Sequence, residues 1–281
     1  MKFHPILGVY LFACALLAGA CTAAEKPILD QVNDALHSGK PADALKLLNT
    51  ALEKDPKNDE LLASRATAYH LLNENAKAAA DLSRAIERSK HYDALRGLGA
   101  EYFFAGDFAA SVKAFDDFAQ HFPDQAPQLW ERGISLYYAK RYDDARKQFE
   151  SHKTVNPNDV ENAAWHFLCA AKATSIEEAG KSLIEIDTDK DTRVPMKQVY
   201  LLFKGEAKPD DVLAAAKAND PHEFVLKNNL CYAHLYLGLY YEAAGDAEKA
   251  REHIEKAATE FAQNHYMGKV AQIHFKLMNA K

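Results

Sequence analysis

The chain has 281 residues, 48% of them hydrophobic and 26% charged, with 12 glycines and 10 prolines. That balance excludes a disordered or fibrous chain and suffices for a packed core. A formal charge of −6 leaves no electrostatic footprint for DNA or RNA, so no nucleic-acid partner is expected.

The first segment differs from the rest. Lys2 precedes a short apolar run, ILGVYLFACALL (6–17), and small residues follow in AGACTAA. This is the plan of a secretory signal peptide over residues 1–20, and the run is too short to span a bilayer. Two readings of its processing stay open. Ala18-Gly19-Ala20 fits ordinary signal peptidase, whereas the same tripeptide before Cys21 resembles a bacterial lipobox whose cysteine is acylated. Ala18 stands where a lipobox usually carries leucine. The expectation is an exported protein, periplasmic or held at the outer membrane by lipid on Cys21, with no other membrane contact. Cys169 and Cys231 remain in the body; two distant cysteines make no disulfide framework and read as small buried residues.

After the leader the chain repeats. GKPADALKLLNTALEKDP ends at Pro56, GDFAASVKAFDDFAQHFP at Pro123 and KRYDDARKQFESHKTVNP at Pro157. The tetratricopeptide period places helix–turn–helix units at about 25–58, 59–92, 92–125, 126–159 and 231–264. Ala66, Gly99, Gly133 and Gly238 are small residues where the first helix of a unit crosses the second. Ala44, Ala78, Ser111, Ala145 and Ala250 open the second helix, and Leu48, Leu82, Phe115, Phe149 and Ile254 follow as its large apolar residues. Gly39, Gly106 and Gly245 sit between paired helices, where a left-handed residue ends a helix at little cost. Each helix is too short to be stable alone, so stacking must supply the stability. The predicted fold is all-α, a tetratricopeptide-repeat right-handed superhelix. Residues 25–159 form four repeats, 160–230 a degenerate repeat with irregular helices, and 231–281 a last repeat and a capping helix.

Five stretches carry a more specific resemblance: RGISLYY (132–138), PND (157–159), AAWHFL (163–168), VYLLFKGE (199–206) and LYLGLYYEAAGD (235–246). With them the chain resembles the NlpI family of bacterial tetratricopeptide lipoproteins. The resemblance implies an outer-membrane lipoprotein, often a homodimer, that acts as an adaptor for peptidoglycan hydrolases and a periplasmic protease.

Motifs for chemistry are sparse. His166-x-x-Cys169 and Cys231-x-x-His234 each place two ligand types on one helix face, and together could hold zinc. They lie about 60 residues apart in non-adjacent units, and no metal or cofactor is expected. The acidic run Asp187, Asp189, Asp191 resembles the start of a calcium loop but lacks its glycine and distal glutamate, and Arg193 opposes it; it reads as a solvated acidic loop. No catalytic residue is assigned.

Recognition is the better-supported role. First helices of such repeats line the concave side of the superhelix. Helical periodicity assigns Leu95, Leu98, Gly99 and Tyr102 to the core of the third unit, and Arg96, Phe103 and Phe104 to another face. In the fourth unit Leu129, Gly133 and Leu136 are core, while Trp130, Ile134, Tyr137 and Tyr138 share the other side. Aromatic residues flanked by arginine are what recognition hot spots are made of. The expected protein-binding groove is therefore Arg96, Phe103, Phe104, Trp130, Tyr137 and Tyr138. For any one of these residues, packing against a neighbouring helix or a homodimer seam stands as the rival reading. The expected function is a non-catalytic protein-binding adaptor of the cell envelope. The alternatives are a structural assembly module or a metal-dependent enzyme.

Overall fold

The computed structural model describes residues 26–280, so the expected signal peptide and Cys21 lie outside the described residues. The described residues contain helices and turns and no strand. They fall into two compact units, one ending at His121 and one beginning at Phe122.

The first unit contains six helices: α1 (Ile28–His37), α2 (Pro41–Lys54), α3 (Asp59–Leu71), α4 (Asn75–Ser89), α5 (Leu95–Ala105) and α6 (Phe108–His121). Each packs on the next in sequence, α1 on α2, α3 on α4 and α5 on α6, as consecutive pairs do in an α-solenoid. One core cluster is built from Val32, Ala44, Leu48, Leu52, Leu61, Leu62, Ala68 and Ala85, the inward stripes of α1 to α4.

The second unit contains α7 (Trp130–Tyr138), α8 (Tyr142–His152), α9 (Val160–Ala173), α10 (Ile176–Lys181), α11 (Met196–Lys204), α12 (Pro209–Lys217), α13 (Glu223–Ala243), α14 (Ala247–Ala258) and α15 (Tyr266–Asn279). Regular pairing resumes at α13 and α14, with α15 packed on α14. α13 runs 21 residues and passes through residue 231, where the last repeat was expected to open. No described helix is long and apolar enough to cross a membrane.

The repeat is written in the backbone as well as in the side chains. Where each first helix ends, an amide bonds back to a carbonyl five residues earlier: Lys40 to Ala35, Glu74 to Tyr69, Asp107 to Tyr102, Arg141 to Leu136 and Asp246 to Tyr241. This closure needs a left-handed residue just before the donor. Glycine provides it at Gly39, Gly106 and Gly245, as the sequence suggests. In the remaining two units Asn73 and Lys140 take the same conformation with φ of 60°, so the turn survives where no glycine announces it.

The small residues at the helix crossings have a steric cause. A Cβ on Gly99 would meet the Phe115 ring at 2.8 Å, one on Gly133 would meet Phe149 at 2.6 Å, and one on Gly238 would meet Ile254 at 2.6 Å. Each glycine is the seat for the large residue of the second helix in its own unit. The hydroxyl of Ser111 adds a hydrogen bond to the Gly99 carbonyl at 2.7 Å, which fixes the crossing of α5 and α6.

Candidate protein-binding surface

The six residues expected to form one groove divide between the two units and are described unit by unit. On α5, Phe103 is fully buried, packed against Phe104 and Phe108 with ring centroids 6.0 and 5.5 Å away. Its assignment to an open face is corrected. Leu95, Gly99 and Phe103 recur at i, i+4 and i+8, so Phe103 lies on the buried stripe, while Tyr102 is only half-buried. Arg96 and Phe104 each keep part of their surface. Phe104 stands 6.2 Å from the ring of His70, whose Nδ1 lies 2.6 Å from Glu101. Asn75 donates to the second oxygen of that buried carboxylate at 2.8 Å.

On α7 the correction is larger. Ile134, Ser135 and Tyr137 are buried together with Gly133 and Leu136, so the helix is covered on nearly every side. Tyr137 is 5% exposed, with its ring edge-to-face on Trp165 of α9, Tyr138 and Tyr142. Trp130 meets Tyr266 of α15 edge-to-face at 4.8 Å. Tyr138 is half-buried, and its hydroxyl lies 2.9 Å from Nδ1 of His274, also on α15. In this structure, the face read as open to a partner is occupied by the chain's own last helix.

A charged centre anchors that helix. His274 Nε2 is 3.1 Å from Glu242 on α13, and Glu242 is also bonded by Lys172 on α9 at 3.0 Å. Burial opposes ionisation of Glu242, but the close approach of His274 Nε2 and the Lys172 ammonium holds its carboxyl down to about 2. With Nε2–H directed at Glu242, Nδ1 is left to accept from the Tyr138 hydroxyl. Burial, and then the nearby Glu242 charge, push the ionisation of Tyr137 and Tyr138 well above the usual phenol range.

Asp187 and Asp189 of the acidic run are exposed, as expected of a solvated loop, but Asp191 is held. Arg193 bonds Asp191 and Asp159 at 2.6 Å and also Glu161, so one guanidinium serves three carboxylates. Asp159 is the N-cap of α9, and Glu161 accepts from the hydroxyl of Tyr236 on α13 at 2.7 Å. Desolvation raises the Glu161 carboxyl despite Arg193, whereas nearby His152 and the Arg193 charge hold Asp159 below its usual range against burial. The arginine that argues against calcium in the sequence is itself the cation of this cluster. Two of its three carboxylates, Asp159 and Glu161, lie more than thirty positions upstream, so no local motif reveals their pairing.

The paired His/Cys motifs do not converge. His166 Nε2 lies 3.2 Å from Glu150, while His234 Nδ1 meets His253 Nδ1 at 2.9 Å. Cys169 and Cys231 are buried free thiols, with Cys231 pushed up to about 12 by desolvation. Among the described residues no group of three or more His, Cys, Asp or Glu could hold a metal ion.

Tetratricopeptide-repeat family models match residues 29–95, 96–159 and 232–264, together more than half of the chain. Among solved structures, a tetratricopeptide repeat protein from Parabacteroides merdae is 17% identical, covers 90% of this chain and 97% of its own, and superposes with a TM-score of 0.57. YrrB, a TPR protein described as having an unusual peptide-binding site, is 18% identical over 80% of this chain and 97% of its own, at a TM-score of 0.39. Yeast Tom70 is 14% identical over 97% of this chain and 68% of its own, at 0.45. The period in the sequence, the five equivalent turns, the glycine seats and the family-model matches agree that the chain belongs to the tetratricopeptide-repeat family.

Proposed function

We propose that the chain is a non-catalytic protein-binding scaffold, exported to the bacterial envelope and tethered there through lipid on Cys21, where it organises cell-wall enzymes. The observation that supports it best is how residues are shared out along α5. Leu95, Gly99 and Phe103 are consumed by the repeat core, while Arg96 and Phe104 retain accessible surface, Phe104 beside His70. An arginine and a part-exposed aromatic ring on the same helix are residue types suited to protein recognition. The envelope setting is supported by the leader-like segment before residue 21 and by the resemblance of RGISLYY and VYLLFKGE to the NlpI lipoproteins.

Crosslinking of the native envelope, followed by mass spectrometry, tests the scaffold reading. Wild type should capture a defined set of envelope proteins, and an Arg96→Glu/Phe104→Ala chain should lose part of that set while keeping its melting temperature. Equal capture by both removes α5 as the recognition surface. Fatty-acid labelling tests the tether: a Cys21→Ser chain that labels like wild type excludes acylation at that position.

A further inference from the structure

Part of the seam under α15 differs in kind from the repeat cores, although the helix also packs on α14 and buries Met267, Val270, Ala271 and Ile273. Repeat crossings close by seating a large apolar residue on a glycine, as Phe149 does on Gly133. Beneath α15, an aromatic edge, Trp130 on Tyr266, stands beside a polar centre in which Tyr138 is hydrogen-bonded to His274 and His274 approaches Glu242. Aromatic anchors around a desolvated polar group are how separate proteins recognise one another.

The region also carries unmade bonds. Trp165, against which Tyr137 and Tyr138 both pack, has a buried indole N–H with no acceptor among the described residues. His265 caps α15 through Nδ1, and its buried Nε2 has no partner among them either. Each such group carries the desolvation cost of a hydrogen bond not formed, which makes the packing around it less stable than a fully satisfied one. α15 is the last helix described, and only residues 259–265 join it to α14.

We propose that Trp130, Tyr138 and Glu242 form a helix-accepting surface, that α15 is its resident occupant, and that the partner it fits is an amphipathic helix patterned like α15. Such a helix presents an aromatic ring in its first turn, as Tyr266 does. Eight residues later it presents a side chain that can both accept from Tyr138 and donate to Glu242. Histidine does this, as do the carboxamides of Asn and Gln. Displacing α15 then couples partner binding to release of the last helix. This proposal rests on the scaffold reading and gives it a partner class.

The test uses the full chain with a protease site inserted after the exposed Asn264, cut only after folding. The probe is a labelled peptide of residues 265–280. A helix of this length is marginal alone, so binding is read both by anisotropy and by a gain of helical signal. The nicked chain should keep its helical content and bind the peptide at least about tenfold more tightly than the uncut chain. Tyr138→Phe in the nicked chain should weaken binding by about five- to tenfold, one hydrogen bond's worth. Collapse of the helical signal on cutting, or a fragment that never exchanges, makes α15 inseparable core and overturns the proposal. So does an uncut chain that is already dimeric with α15 exchanged between copies. The scaffold reading survives any of these results, because no outside protein is involved.

Discussion

The Tyr138 hydroxyl and the His274 imidazole, 136 residues apart in sequence, meet at 2.9 Å with their rings edge-to-face at 5.8 Å. Removing only the hydroxyl, by Tyr138→Phe, leaves the ring contact with Trp165 in place and strips His274 of its donor. The expected loss is about 1 kcal/mol. Tyr138→Ala also removes the ring and should cost about 3 kcal/mol or more. Urea unfolding of both variants separates the two contributions; equal losses would mean that the hydrogen bond contributes nothing.

Gly133→Ala places a methyl group 2.6 Å from the Phe149 ring, inside contact distance. Overpacking of this kind costs about 1–3 kcal/mol. Shrinking the intruding residue, as Gly133→Ala/Phe149→Leu, should recover part of that loss. A double variant no more stable than the sum of the two singles would show that the two positions do not share one space.

Arg193→Gln leaves Asp159, Glu161 and Asp191 facing one another without their cation. Breaking a buried pair from one side costs on the order of 3 kcal/mol. The variant should also gain stability relative to wild type as pH falls toward 4. Like-charge repulsion raises the carboxyl pKa values in its folded state, and a raised group stabilises below its unfolded pKa and loses that contribution as pH rises. Thermal melts at pH 7 and pH 4.5 check the sign; a wild-type advantage of equal size at both values counts against it.

His234 and His253 form a buried imidazole pair faced by Lys256, Lys249, Lys217 and Glu252, with Phe261 and Tyr241 stacked on the two rings. Burial, then the neighbouring His253, depress His234 to about 3, and burial also lowers His253. Groups of this sign leave stability intact above the unfolded value near 6.5. Between 6.5 and about 3 the unfolded chain binds the extra protons, and stability falls. His234→Phe, which keeps a ring against Phe261, should flatten that part of the stability curve. An unchanged acid slope, measured by denaturant unfolding at several pH values, would remove the pair as its source.

Much of the fold was legible because its causes are local. Gly133 and Phe149 lie sixteen positions apart within one repeat, and helical geometry brings them together whatever the rest of the chain does. The same holds for Gly99 with Phe115 and Gly238 with Ile254. Phe103 was misplaced for an equally local reason. On a helix with two apolar stripes, Tyr102 and Phe103 compete for the inward position, and i, i+4, i+8 registry with Leu95 and Gly99 selects Phe103.

The surface was less legible, because whether a side chain faces solvent depends on what packs over it from elsewhere. Tyr138 does fall away from the glycine-bearing side of α7, whereas Tyr137, at i+4 from Gly133 and i+8 from Leu129, lies on it as Phe103 does on α5. Only the tertiary structure shows Trp165 and His274 covering them, and Arg193 reaching back to Asp159 and Glu161. Helix periodicity measures direction around one axis, whereas burial is set by the sum of all neighbours, and those neighbours come from helices far away in the chain. The sequence by itself therefore determined the repeat and its packing seats. Which aromatic face stays open and which is closed by α15 was decided by tertiary packing alone.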